Sequence, residues 1–591
     1  MIPRLLQIFR SVDRALGAYR WHMLLLVVLG FLSGAFEVVG VGVLIPLFSY
    51  AIQKNALGSD VFSSAVQWLF SLLHISVSVR ALLILIVGLF VLKAIVLLAF
   101  SYIKVWIVAN YEYSMRSKLY ADMLHTRWPH LIHQKIGYVE NVLMTDLGTV
   151  ITLIKQSSAL ILVLTGLTLF LVTALHISAL VTLTMLAVGI AVFFLTRPLI
   201  RRTRDLAKVQ TKLNKHIAHF VNEQTAGLKL IKAFSVEPSV AHAADSFFLR
   251  LKENRIRLFF TRDLVTVLNA PVGVIFICVM FAISYLQPGF NFASFITIVY
   301  LVNRTFDYMG NVQSSLQTMN ESLPALQNVM RLQKDAELHQ EERDGNEPFR
   351  FEKDLRFDQV SFSYLDGESV LERMDFTIQK GNMVGIVGPS GAGKTTVVDL
   401  LLRLFDPKEG HIVVDGCDIR DIRLEDWRKN IGYVSQEIFL QNDTVAHNIS
   451  FYQDLTQEEI ETAAKKAKIH EVITSLPQGY ETTIGERGSF LSGGQRQRLV
   501  LARVLARKPK ILILDEATSS LDNESELLIQ KSIEQLKGEV TVIAIAHRLS
   551  TVMSSDMLLV IEKGRVVERG SPQALLADKD SAFFKLAHIR E

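Results

Sequence analysis

The sequence predicts two parts of different class: an α-helical six-span transmembrane bundle, then a soluble α/β domain built around a phosphate-binding loop. Three observations predict it. Composition changes near residue 335, from long runs of Leu, Val, Ile, Phe and Ala to the mixed charge of a water-soluble domain. The first half holds six runs close to the roughly 20 apolar residues that a helix needs to cross the hydrocarbon. The second half places a short apolar strand, a glycine-rich loop and a helical pattern in direct succession: MVGIV, GPSGAGKTT and VVDLLLRLF across 383–405.

At 591 residues the chain exceeds what one core can organise. The expected division is a membrane part at 1–325 with long cytoplasmic helix extensions, a linker at 326–354 and a soluble domain at 355–591. The net charge of +4 is small for this length, so nucleic acid is not expected as a partner. Cys278 and Cys417 lie in different environments and match no metal or redox spacing. The N-terminal stretch MIPRLLQIFRSVDRALGAYR is amphipathic and basic. The apolar run after it is longer than a signal-peptide core and lacks a small-residue cleavage site, so it is expected to stay attached.

The six spans are read at 21–50, 80–108, 148–175, 177–196, 263–286 and 292–318. Spans three and four, and spans five and six across QPGFN, make tight hairpins. Lys and Arg favour the cytoplasmic side of a span. Arg4, Arg10, Arg14 and Arg20 precede span one, and Arg116, Lys118, Arg127 and Lys135 follow span two. The stretch after span four is richer still, from Arg197 to Arg257, whereas the opposite loops carry almost only Lys54. Both termini are therefore expected in the cytoplasm. The cytoplasmic stretches, such as NEQTAGLKLIKAFSVEP at 222–238, read as helices, either plain extensions or docking elements.

Ionisable residues inside spans are expensive and face a bundle interior, a cavity or one another. Arg304 and Asp307 have the i,i+3 spacing of a self-neutralising pair. Lys155 and Arg262 are close enough to the interface to snorkel. Glu37 in span one and Lys93 in span two are left, either as a structural ion pair or as lining for a substrate cavity.

In the soluble half, Gly388, Gly391 and Gly393 let backbone N–H groups face phosphate oxygens, Lys394 reaches the outer phosphates, and Thr395 offers its hydroxyl to Mg²⁺. Ser390 and Thr396 complete this nucleotide-binding run. A second buried strand, ILILDE at 511–516, ends in two acids. Asp515 is suited to hold Mg²⁺, and Glu516 to orient or deprotonate an attacking water. His547 ends another apolar strand, VIAIAHRLS, as a structural histidine or as a contact to the outermost phosphate. Gln436 in IGYVSQEIF and Tyr364 in VSFSY are unremarkable from pattern alone.

Taken with LSGGQRQR at 491–498, which lies between GPSGAGKTT and ILILDE, these stretches resemble the nucleotide-binding domain of ATP-binding cassette transporters. The spans before them resemble the membrane domain of that family's exporters. The resemblance covers almost the whole chain. It implies ATP and Mg²⁺ as cofactors, Tyr364 stacked on adenine, Gln436 on Mg²⁺, Glu516 as catalytic base and His547 as phosphate switch. Asp522 in SSLD then communicates between two sites, and TIGERG at 483–488 touches the cytoplasmic helices.

A signature helix offers Ser492, Gly493, Gly494 and Gln495 to an outer phosphate at its N-terminus. In this family it reaches the ATP held by a second copy, so the resemblance implies a dimer. The intact motifs favour two identical chains. FEVVGVGVLIPLF in span one is similar to the matching stretch of bacterial lipid-linked oligosaccharide flippases and, more loosely, of the lipid A flippase. The expected activity is ATP-driven export or flipping of a lipid-linked or amphipathic substrate across the bacterial inner membrane, with membrane lipids as surroundings. A peptide or multidrug exporter is the main alternative, although no peptidase domain precedes the first span. A nucleotide-gated regulator with little turnover fits an intact Glu516 poorly.

Overall fold

The computed structural model describes residues 16–52, 61–134, 136–177, 179–285, 292–342, 345–364, 367–517, 522–545, 548 and 552–589. Arg4, Arg10, Arg14, Lys54, Lys135 and His547 lie outside the described residues. The chain forms two compact units, one of Met1–His125 with Gln134–Leu338, the other of Thr126–His133 with His339–Glu591.

The regular elements described in the first unit are all helices. Its long helices are α1 (Arg20–Gly42), α2 (Val79–Leu124), α3 (Leu147–Ile177), α4 (Ala179–Ala226), α5 (Glu237–Tyr285) and α6 (Phe292–Leu338). Among the described residues, four stretches are both long and apolar enough to cross a membrane: Gly17–Tyr50, Val79–Leu124, Tyr138–Ile177 and Ala179–Ala226. Helices α5 and α6 match the fifth and sixth expected spans in position and are equally long. Helix α6 is the more polar of the two, burying Gln313, Ser315, Gln317 and Ser322, and the apolar stretch of α5 includes Pro271–Ile283. Lacking water, the hydrocarbon forces every backbone group to bond within its own segment, which is why uninterrupted helices result. At 1.5 Å per residue, helices such as α4, with 48 residues, are about twice the ~30 Å hydrocarbon thickness and continue well beyond it. Helix α6 runs on through Leu338, into the stretch expected to be linker.

Lipid tails are as apolar as Leu, so membrane helices associate through close packing of small residues. A Cβ on Gly30 of α1 would meet Thr165 Oγ1 of α3 at 2.5 Å, and one on Gly34 would meet Leu169 Cδ1 at 2.9 Å. Polar cross-links add to this: Gln313 Nε2 donates to Thr196 Oγ1 at 3.1 Å, and Asn328 Nδ2 to Asp146 Oδ2 at 2.8 Å. One local expectation is corrected. Arg304 pairs with Glu37, Nε to Oε1 at 3.0 Å, rather than with Asp307 one turn away on its own helix. Glu37 is buried where three helices meet and already faces Lys93, so the carboxylate is out of water and attracts the guanidinium strongly, whereas Asp307 is exposed.

The second unit holds two sheets. The smaller is antiparallel, in the order β2 (Leu371–Gln379), β1 (Asp354–Phe362), β4 (Glu409–Val414), β5 (Cys417–Asp418). The larger runs β10 (Arg565–Gly570), β9 (Met557–Glu562), β3 (Met383–Val387), β8 (Thr541–Ile545), β7 (Ile511–Asp515), β6 (Ile431–Val434). Within it β9, β3, β8, β7 and β6 are parallel and β10 is antiparallel to β9. Every residue of β3, β7 and β8 is buried, as a sheet covered on both faces requires. Trp427, wholly buried, fixes the layer beside the P-loop helix by donating from Nε1 to Leu401 O at 2.7 Å.

Thr126–His133 joins this unit through the start of the linker. Arg127 N donates to His339 O at 2.8 Å and Nε to Gln340 O at 3.2 Å, its guanidinium pairs with Glu342, and the His130 ring stacks on His339 with centroids 3.9 Å apart.

Candidate functional site

Parallel strands deliver their following loops to one edge of a sheet, which is where ligands bind in open α/β folds. Here β3 leads into the glycine-rich loop, β7 ends at Asp515, and β6 is followed by Gln436. The sheet thus gathers onto one edge three groups that lie up to 130 residues apart in the chain.

The loop itself needs its glycines. Gly393 has φ +99°, a conformation L side chains rarely adopt, and a Cβ there would meet Leu371 Cδ2 at 2.6 Å. At Gly388 a Cβ would approach Ile561 O to 2.1 Å. Helix α7 (Lys394–Leu401) starts immediately after, so its free N–H groups open toward the loop. Lys394 is buried and donates from Nζ to Gly388 O at 3.1 Å and Pro389 O at 2.9 Å. The ammonium group therefore lies folded within the cradle that phosphate oxygens would fill. Thr395 is exposed beside it, and Thr396 is buried.

Asp515 is buried, and that burial, followed by the charge of Glu516, raises its pKa above the ordinary carboxylate value. Tyr433 donates to its Oδ2 at 3.4 Å and, with Lys394 nearby, offsets part of the rise. Glu516 is held at φ +49° while its N–H donates to Ile545 O at 3.0 Å. Its Oε2 accepts from Gln436 Nε2 at 2.7 Å. The structure thus brings Lys394, Asp515, Glu516 and Gln436 into one neighbourhood. Two adjacent acids, a hydroxyl and an amide oxygen are hard oxygen donors of the kind Mg²⁺ selects, and a dication there would offset the charge of Glu516, which after burial is the second cause of the Asp515 rise.

Tyr364 is partly exposed. Its hydroxyl shares a hydrogen bond with Thr396 Oγ1 at 3.0 Å and donates to Asp399 Oδ2 at 3.1 Å, while its ring meets Phe362 and Phe405 edge-on. An aromatic face thus stands beside the loop. Asp399, which anchors it, has no sequence signal of its own, and its burial raises its pKa.

Ser492 and Asp522 belong to a second place. Helix α8 (Gly493–Ala506) starts at a closed capping box, with Gln495 N donating to Ser492 Oγ at 3.2 Å and Ser492 N donating to Gln495 Oε1 at 2.9 Å. Asp522 caps α9 (Asn523–Glu534) through Ser525 N at 3.1 Å, and hydrogen bonds first from the Ser525 hydroxyl and then from its N–H hold the carboxyl below the usual range. Both line an open cavity of about 720 Å³, with Lys468, His470, Gln495 and Arg498 among its other walls. None of Gly388–Thr396 is among its described lining residues.

Sequence reasoning missed the girder behind that helix. Arg503 is buried and donates from Nε to Asn448 O at 2.7 Å, from Nη1 to Phe439 O at 2.7 Å and from Nη2 to Asn448 Oδ1 at 3.0 Å. Its guanidinium lies 4.3 Å from the Phe451 ring centroid, and burial pushes its pKa down to about 10. It connects the signature helix to the segment that follows Gln436.

Comparison with known proteins agrees with this layout. Residues 23–309 match the family model of the ABC transporter transmembrane region and residues 371–519 that of the ABC transporter. The chain is 32% identical over 509 residues to a protein named ATP-dependent lipid A-core flippase from Burkholderia pseudomallei, covering 83% of each chain. A protein of the same name from Ralstonia nicotianae is 33% identical over 472 residues, 78% of this chain and 77% of that one. Among solved structures, a bacterial Atm1-family ABC exporter with ATP bound superposes with a TM-score of 0.76 at 25% identity, covering 99% of this chain and 98% of the other.

Proposed function

Because the chain belongs to the ABC transporter family and carries transmembrane region and nucleotide-binding domain on one polypeptide, we propose that it is an ATP-driven lipid flippase working as a homodimer. The family membership itself makes it a membrane-embedded ATPase coupled to transport. The lipid substrate is supported by the likeness to lipid A-core flippases over most of the chain. A bacterial inner-membrane location with cytoplasmic termini is supported by the basic flanks of the spans and by the bacterial relatives.

The observation that carries the homodimer is the separation of the two anion-binding places. Ser492 and Asp522 face a cavity to which no described P-loop residue contributes, so one chain holds two half-sites. Two copies make both whole. In each completed site the loop N–H groups of Gly388–Thr396 and Lys394 bind the phosphates of ATP, Tyr364 meets the adenine, and the partner's signature closes over the outer phosphate. Thr395, Gln436 and Asp515 would hold Mg²⁺, which supplies neutralising charge to the phosphates. Glu516 accepts a proton from the attacking water, Gln436 keeps its carboxylate oriented, and His547 contacts the outermost phosphate. Binding of ATP draws the two copies together, and hydrolysis releases them.

Mixing variants tests the shared site. Lys394→Ala and Ser492→Ala chains are each defective alone, but a mixed dimer has one intact site, so trapped ATP recovers to about a quarter of wild type in a random mixture. Trapping rather than turnover is read, so that a dead site does not mask its neighbour. No recovery overturns the shared site. In liposomes, ATPase stimulation by lipid A-type or polyprenyl-pyrophosphate lipids supports the substrate class, and stimulation by hydrophobic cations or peptides alone defeats it.

A further inference from the structure

Glu37 of α1, Lys93 of α2 and Arg304 of α6 come from three separate helices and meet around one buried carboxylate, with the two cations partly accessible. Glu37 is 3% exposed. Its Oε2 lies 2.9 Å from Lys93 Nζ and accepts from the Tyr308 hydroxyl at 3.2 Å. Its Oε1 lies 3.0 Å from Arg304 Nε and 3.5 Å from the Tyr300 hydroxyl. The Arg304 guanidinium also stands 4.7 Å from the centre of the Tyr308 ring.

The charges do not balance. Two cations share one carboxylate, and an uncompensated cation within membrane helices is costly enough that such residues are kept for function. A second observation points the same way. Although Arg304 Nε is in ion contact with Glu37, its N–H is buried without being directed at a hydrogen-bond acceptor. Apart from the carboxylate, the cluster consists of an ammonium, a guanidinium and two phenols. All four present donors, as an oxyanion receptor does.

We propose that Glu37 is a resident counter-ion in a phosphate site formed by Lys93, Arg304, Tyr300 and Tyr308, and that the phosphate of a lipid headgroup enters by displacing it. The lipid as source rests on the flippase reading, whereas the oxyanion chemistry rests on the cluster alone. Because Glu37 is tethered beside its cations, it competes at high effective concentration. A singly charged carboxylate gains nothing by replacing it. A phosphate monoester carrying up to two charges neutralises both cations and supplies enough acceptors for all four donors.

The test uses the purified full chain in phosphatidylcholine nanodiscs, titrated with phosphatidic acid, oleate and inorganic phosphate. Glu37→Gln should bind phosphatidic acid about tenfold more tightly than wild type, as removal of a close competing charge predicts, and should gain thermal stability on binding it. Oleate should produce no comparable gain. Arg304→Gln leaves Glu37 and Lys93 as a neutral pair, so it is expected to fold and to lose phosphatidic acid binding. Unchanged binding in Arg304→Gln, or binding by Glu37→Gln no tighter than wild type, makes the cluster a structural tie and overturns the proposal. Inorganic phosphate matching phosphatidic acid would overturn the headgroup as source. Gain of binding without lipid-stimulated ATPase in wild type would leave the anion site standing and remove the flippase reading. Lipid-stimulated ATPase without that gain does the reverse.

Discussion

Replacing Arg503 with Met keeps the volume of the side chain and removes its charge and all five donors. Three hydrogen bonds from a charged group, to Asn448 O, Phe439 O and Asn448 Oδ1, contribute roughly 4 to 9 kcal/mol together. Against this stands the cost of burying the cation. Burial, which presses its pKa down to about 10, costs roughly 3 kcal/mol. Met escapes that cost but leaves the carbonyls of Asn448 and Phe439 without this donor, while Asn448 Oδ1 keeps the N–H of Gln441 at 3.0 Å, so the net loss is about 3 kcal/mol. For a unit the size of the nucleotide-binding half this lowers the midpoint by about 6 to 12 °C. The assay is residual ATPase of the purified full chain after heating at a series of temperatures, with Arg503→Lys alongside. Lysine retains the charge but is a point donor and should fall between. A shift for Arg503→Met below about 2 °C would show that Asn448 and Phe439 find other donors, and that the girder carries no weight.

Glu516→Gln keeps the bond geometry to Gln436 but cannot accept a proton, so turnover should fall about 10²- to 10⁴-fold while ATP binding persists; activity within tenfold of wild type would refute it as the base. Asp515→Asn should raise the thermal midpoint of nucleotide-free protein at neutral pH. Its carboxyl is raised by burial and by Glu516, so ionisation costs stability as pH climbs through the unfolded value and up to the folded one. The same variant should lose Mg²⁺-dependent turnover, and a lower midpoint would contradict the burial argument. Gly34→Leu, measured as folded yield in detergent, should fail where α1 meets Leu169 and Gly166 of α3, whereas Gly88→Leu, with open space around it, should be tolerated.

Much of the site was legible because its chemistry is local. GPSGAGKTT needs its glycines, its lysine and its following helix in one continuous stretch, and a strand that ends in Asp-Glu betrays itself. Tyr364 and Gln436 were not legible in this way. Their significance comes from the loop that each is folded against, which pattern alone does not contain, and only resemblance singled them out. Arg503 was invisible for a different reason: in LVLARVLARK it sits in a helical run where a basic residue reads as a solvated face, and its partners are more than fifty residues away. Arg304 misled. Its i,i+3 neighbour Asp307 offered a cheap local explanation, and the cross-helix partner Glu37, 267 positions earlier in the chain, became visible only in three dimensions. The six long helices were foreseen from apolar runs, but their ends were not, since beyond the hydrocarbon they continue through amphipathic sequence with no break in composition.

The way Ser492 is spent has a consequence for recognition. Its oxygen already receives the amide hydrogen of Gln495, so the hydroxyl has a proton left to give, and the helix start keeps its shape before any nucleotide arrives. With one lone pair taken, the hydroxyl's free proton and the positive helix end beside it favour a group rich in lone pairs, as a phosphoryl group is, over an ammonium ion.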